Sequence, residues 1–178
     1  MTGASLEVCF VPLSMQHLAL LSRWMAEPHW RQWWGEPEEE LEYIIDMIEG
    51  RDTTRPYIFT IGDRPLGYIQ VWFIADQLDD EHTLAEHAWV TLLPNDAVGI
   101  DLSIGEPDAL GKGYGSRVLR AFSEQLWREG HRSIVIDPDP RNTRAIRAYE
   151  KAGFRPAPDL LERTGDALIM QFEPVRNR

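Results

Sequence analysis

The sequence predicts an α/β fold in a single domain, with a central mixed β-sheet flanked by helices. Three observations predict it. Strand-like and helix-like stretches follow one another along 178 residues in the order β-α-α-β-β-β-α-β-α-β, without repeats, low-complexity tracts or linkers. A strand pattern leads through a glycine-rich turn, "DALGKGYGSRVL" (108–119), into the longest amphipathic helix pattern of the chain. Hydrophobic residues make up 43% and charged residues 26%, the balance of a soluble globular domain with its own core.

Residues 6–11, "LEVCFV", read as the first strand. Residues 14–25 place Leu18, Leu21, Trp24 and Met25 at helical spacing behind Ser14 as N-cap. A second helix is predicted over 37–50. Pro37 suits its first position, acids crowd its first turn and Gly50 ends it. Residues 55–75 form two strand patterns around the turn "GDRP", and 76–96 are an acidic insertion to which the sequence assigns no structure. Residues 98–105 alternate as a strand. The strongest helix spans 113–130, with Val118, Leu119, Phe122 and Leu126 on one face and Gly130 as C-cap. A short buried strand (133–138), a helix capped by Asn142 and stopped by Gly153 (142–153), and a final strand (166–172) complete the series.

The net charge of -11 makes nucleic acid an unsuitable partner. The acids cluster in "EPEEELE" (36–42), "DQLDDEH" (76–82) and "DPDP" (137–140). Such runs read as solvated surface, or as a field that draws in a cationic substrate. No apolar run reaches the roughly 18–20 residues of a membrane span. The N-terminus lacks the pattern of a signal peptide, and Cys9 is alone, so the cytoplasm is the expected compartment. His29, His82, His87 and His131 show no metal-ligand spacing, and no metal site is expected.

Gly111, Gly113 and Gly115 alternate with Lys112 and Tyr114. The spacing fits neither the phosphate loop of nucleotide triphosphatases nor the dinucleotide fingerprint. What remains is a strand, a short glycine run and a helix N-terminus. The backbone N–H groups of residues 111–116, Ser116 included, suit a pyrophosphate there, and Lys112 adds charge. A plain loop of helix-starting glycines fits the same residues.

The second stretch, "DPRNTRAIRAYEKAGF" (139–154), separates these readings. Together the two stretches resemble the GNAT superfamily of acyl-CoA-dependent N-acetyltransferases, and the element order fits that fold across nearly the whole chain. The resemblance implies that Gly111, Lys112, Gly113, Tyr114, Gly115 and Ser116 hold the pyrophosphate of acetyl-CoA as cosubstrate. Leu110 stands where the family usually has Arg or Gln. The resemblance also implies cofactor contacts from Asn142, Ala145 and Lys151, and it aims Tyr149 at the coenzyme sulfur. A phenol with a pKa of about 10 can protonate the departing thiolate.

The acceptor is read from "WMAEPHWRQWWG" (24–35), "GYIQVW" (67–72), "VGIDLSIG" (98–105) and "DPDP". These resemble the aminoglycoside 6′-N-acetyltransferase branch, with "WWG", "GYxQ", "GID", "LGKGxG" and "DPxPxN" in the same order. That likeness implies substrate contacts from Trp34, Gln70, Trp72, Asp101, Asp137 and Asp139, and a polycationic amine as substrate. Asp101 would hold the ammonium and take its proton, and the backbone of Leu102, Ser103 and Ile104 would polarise the thioester carbonyl. A carboxylate near its ordinary pKa of about 3.9 is a weak base for this. Either burial raises it, or its role is positioning. Acylation of a lysine- or hydroxylysine-type amine in siderophore synthesis is the alternative, suggested by "WMxxPH" and "DPDxRN"; that branch commonly has histidine where Asp101 stands. The expected assembly is a monomer or homodimer without nucleic acid or membrane.

Overall fold

The computed structural model describes residues 7–160 and 162–174. Leu6, first residue of the predicted opening strand, lies outside them. Strand β1 (Val8–Pro12) is followed by a 3-10 turn (Met15–His17) and helix α1 (Leu18–Met25). The Ser14 N–H donates to His17 Nδ1 (3.0 Å), so the predicted helix start is held by a local turn before α1 itself begins. Helix α2 (Pro28–Trp34) was not distinguished in the sequence. It opens on Pro28 at its first turn and stops at Gly35, whose φ is +111°. Helix α3 (Pro37–Ile48) carries Glu38, Glu39 and Glu40 in its first turn, where the helix dipole favours them.

Strands β2 (Arg55–Ile61) and β3 (Arg64–Phe73) are the predicted hairpin. The acidic insertion is ordered as two short helices, α4 (Ile74–Gln77) and α5 (Glu81–Glu86), and a 3-10 turn (Ala88–Leu92). Then come β4 (Val98–Ile104), a 3-10 turn (Pro107–Ala109), α6 (Tyr114–Glu129), β5 (Ile134–Ile136), α7 (Thr143–Ala152), β6 (Phe154–Pro156), a further 3-10 turn (Pro158–Leu160) and β7 (Met170–Phe172). Strand β6 is three residues long and follows Gly153 directly, too short to show a period. The predicted final strand begins at Met170 rather than at Asp166.

The seven strands form one mixed sheet in the order β1-β2-β3-β4-β5-β7-β6. β1 and β2 pair antiparallel from Val8 opposite Ile61 to Pro12 opposite Tyr57. β4 and β5 pair parallel, Val98 with Ile134 and Gly99 with Val135, and the crossover between them is α6, as parallel strands require. β7 runs antiparallel to both β5 and β6.

The chain forms two compact units. Among the described residues, one comprises 7–70 with Leu102–Tyr114, the other Val71–Asp101 with 115–160 and 162–174. The first buries Leu21, Trp24, Met25, Trp30, Ile44, Ile58 and Tyr68 together. In the second, Trp89, Val90 and Leu93 of the insertion are buried with Ile74, Val135, Leu160 and Ile169. That burial explains why so acidic a segment is ordered: its charged residues face water while one 3-10 turn supplies core side chains. No described helix is long and apolar enough to cross a membrane.

Candidate active site

Asp101 sits on β4 and Asp137 just past the end of β5. Continuing the parallel register from Gly99 opposite Val135 brings Asp101 level with Asp137. Side chains at matched positions of parallel strands share a face of the sheet. Part of the Asp137 residue reaches the surface, but protein surrounds its carboxyl. Burial first, and then the charge of Asp101, push that carboxyl well above the ordinary carboxylate range. Two carboxylates so placed do not ionise independently, and the pair holds a proton where a lone aspartate would have lost it.

Tyr149, on α7, is buried at 9% exposure. Its phenol is pushed above its usual value by burial and then by Asp101 and Asp137. The structure therefore brings Asp101, Asp137 and Tyr149 into one electrostatic group. A phenol in such surroundings is protonated at neutral pH.

Trp72, on β3, is laid against β4. A Cβ added to Gly99 would come within 2.0 Å of Trp72 Cε2 and Cζ2. Gly99 and Asp101 are two apart on one strand and share a face, so the indole lies on the face that carries Asp101. Trp89 meets Trp72 edge-on with ring centroids 6.3 Å apart, and His87 meets Trp89 at 6.2 Å. Trp89 was missed in the sequence because its segment has no period of its own.

In the other unit Trp34, Trp30 and Tyr68 form an aromatic group: Trp34 lies 5.3 Å from Trp30 and 5.6 Å, edge-on, from Tyr68. The Tyr68 hydroxyl donates to Gln70 Oε1. Trp34 and Gln70, far apart in sequence, are thus both tied to Tyr68. Period-2 alternation does place Tyr68 and Gln70 on the same side of β3. Trp33 is more exposed than Trp34.

Gly111 and Gly113 have φ of +73° and +80°, values that side-chain-bearing residues rarely adopt. A Cβ on either would meet no atom of the described residues within 4 Å. Tyr114, Gly115 and Ser116 form the first turn of α6, and Gly115 lacks the positive φ of its two predecessors. Lys112 is exposed. Leu102, Ser103 and Ile104 complete β4, and His29 Nε2 donates to the Ile104 carbonyl oxygen (2.7 Å). Asn142 Oδ1 accepts from the Ala145 N–H (3.1 Å), capping α7 as its position predicts. Lys151 is exposed on the last turn of α7, and its carbonyl accepts from Arg120. Asp139 is paired with Arg141, whose guanidinium donates to both its oxygens and holds its carboxyl at about 2. The structure does not group Asp139 with Asp101, Asp137 and Tyr149.

Asp101, Asp137 and the buried phenol of Tyr149 together form a group able to bind a cation and to move protons. The family model of the acetyltransferase (GNAT) domain matches residues 14–160, and the chain belongs to that family. It is 31% identical over 160 residues to the aminoglycoside N(6′)-acetyltransferase type 1 of Klebsiella pneumoniae, covering 86% of this chain and 76% of that protein. The N-hydroxyputrescine acetyltransferase of Acinetobacter baumannii is 27% identical over 136 residues, 75% of this chain and 60% of its own length. Among solved structures, aminoglycoside acetyltransferase AAC(6′)-Ib in complex with coenzyme A and kanamycin matches with a TM-score of 0.77 and 29% identity, covering 93% of this chain and 94% of that one.

Proposed function

We propose that the protein transfers the acetyl group of acetyl-CoA to the 6′-amine of aminoglycosides. The observation that carries this is the group formed by Asp101, Asp137 and Tyr149. Aminoglycoside amines are mostly protonated at neutral pH, and only the neutral amine attacks a thioester. Asp101 binds the ammonium and, with Asp137 beside it, accepts the proton that makes the amine a nucleophile. Burial and the charge of Asp101 raise the Asp137 carboxyl, so the pair as a whole is a stronger base than a lone carboxylate. The nitrogen then bonds to the acetyl carbon, the N–H groups of residues 102–104 stabilise the oxyanion, and the C–S bond breaks. Tyr149 gives its proton to the thiolate, and its phenolate takes the second proton that the nitrogen sheds as the amide forms. The Asp101–Asp137 pair holds the proton from the amine until solvent takes it.

Gly111, Lys112, Gly113, Tyr114, Gly115 and Ser116 are assigned to the coenzyme pyrophosphate, and Asn142, Ala145 and Lys151 to the remainder of the coenzyme. Trp34, Gln70 and Trp72 are assigned to the acceptor, with Asp139 as an outer acidic contact once Arg141 releases it. The proposal treats the chain as one acetyltransferase domain acting in the cytoplasm without a metal. The single cysteine, Cys9, accords with a reducing compartment. A hydroxylated amine is the second reading, favoured by the match to the N-hydroxyputrescine enzyme. A thiol-release assay with acetyl-CoA and a panel of amines tests the proposal. Acetylation of kanamycin at its 6′-amine, located by NMR of the product, supports it. Absence of turnover with every aminoglycoside would sink it.

A further inference from the structure

Two carboxylates precede the glycine loop, and each has its own arginine. Glu106 accepts from Trp24 Nε1 (2.9 Å) and Arg23 Nη2 (2.5 Å). Asp108, three residues before Gly111, accepts from Arg64 through both oxygens, at 2.6 Å from Nη2 and 3.1 Å from Nη1. The same Nη2 lies 3.8 Å from Glu106. Arg64 thus stands at the start of β3 with one carboxylate firmly held and a second within reach. With both arginines in place, residues 106–112 present one uncompensated charge, that of Lys112; without Arg64 the charge there sums to zero. Asp108 is held below the ordinary carboxylate range by Arg64 first, and the Lys112 ammonium contributes as well, so Lys112 lies within the field of Asp108.

We propose that Arg64 is a positioning residue for cosubstrate binding: it occupies Asp108 and so leaves the Lys112 charge for the anion at the glycine loop. This rests on the assignment of that loop to the coenzyme pyrophosphate. Without Arg64, Asp108 becomes an uncompensated anion that draws on the Lys112 charge and opposes an anionic ligand at the loop. Arg64 acts through Asp108, without touching the coenzyme.

The side chains of Arg64 and Asp108 are 52% and 59% exposed, so changing them leaves the fold intact. Calorimetric binding of acetyl-CoA at low ionic strength is compared for the unaltered protein, Arg64→Ala, Asp108→Asn and the double variant. Arg64→Ala is expected to bind about fivefold more weakly, the upper range for an exposed ion pair. Asp108→Asn binds at least as well as the unaltered protein, and the double variant returns to within about twofold of it. High salt compresses the differences. Unchanged affinity in Arg64→Ala, with the unaltered protein binding normally, overturns the role of Arg64 alone. A double variant as weak as Arg64→Ala also overturns it, because Arg64 would then touch the coenzyme directly. Failure of the unaltered protein to bind acetyl-CoA would overturn the coenzyme assignment, and the role of Arg64 with it.

Discussion

Gly99→Ala puts one methyl group where the Trp72 ring now lies. The added carbon would be 2.0 Å from Cε2 and Cζ2 and 2.7 Å from Cδ2. Carbon atoms pack comfortably at roughly 3.5–4.0 Å, so the indole must retreat by about 1.5–2 Å. That retreat breaks the edge contact with Trp89 and presses on the core of the insertion, where Trp89 is 6% exposed. Overpacking of this kind costs about 1–3 kcal/mol. For a chain of this length each kcal/mol lowers Tm by about 2–4 °C, so a fall of about 2–12 °C is expected by scanning calorimetry. The displaced ring also raises KM for the acceptor while leaving KM for acetyl-CoA near its starting value. A double-mutant cycle isolates the cause: in a Trp72→Ala background there is no ring to strike, and the penalty of Gly99→Ala vanishes. The same loss of Tm in both backgrounds would refute the reasoning, as would a Gly99→Ala protein of unaltered Tm and acceptor KM.

Tyr149→Phe should lower kcat by about 10²–10⁴-fold with acetyl-CoA affinity little changed, measured under conditions where chemistry limits the rate. Asp137→Asn removes the like charge beside Asp101, so the acidic limb of the kcat/KM profile should move to lower pH, as read by a pH-rate series. The same change tests linkage. A carboxyl whose folded pKa is raised binds its proton more tightly in the folded state, so its contribution to stability is lost as pH rises from the ordinary carboxylate range through the raised value. Asp137→Asn should therefore gain Tm over the unaltered protein at mildly alkaline pH and gain little at pH about 4. Gly113→Val forces a branched side chain into a backbone of φ +80° on the open side of the loop, and calorimetry should find acetyl-CoA binding abolished in the folded variant.

Local signals were legible wherever a single element carried its own period and caps. Helix α6, the Asn142 cap of α7 and the β2–β3 hairpin fall where the residues place them, because their amphipathic spacing and turn residues act over a few positions. The elements missed were those whose structure depends on distant partners. The insertion buries Trp89, Val90 and Leu93 against residues from β5 and the C-terminal segment, and no period within 76–96 announces that. β6 exists through pairing with β7, from Phe154 opposite Phe172 to Pro156 opposite Met170. Helix α2 is a seven-residue helix within the tryptophan-rich run from which the acceptor was read; Pro28 and Gly35 were the signals that could have bounded it. For the site, the glycine loop, Asp101 and Tyr149 were legible as motifs. The difference between Asp137 and Asp139 was not. It needed the β4–β5 register to set one beside Asp101, and the Arg141 contact to hold the other apart.

Relative kcat/KM with acetyl-CoA measures the identity of the acceptor most directly. Kanamycin is compared with lysine, N-hydroxylysine and N-hydroxyputrescine under one set of conditions. A half-buried carboxylate pair in a chain of net charge -11 favours a rigid polycation over an amino acid whose own carboxylate the same field repels. The account predicts that kanamycin has the highest kcat/KM and that rising salt lowers it. A hydroxylated amine preferred by a wide margin would contradict it and make hydroxylated-amine acylation the function of this site.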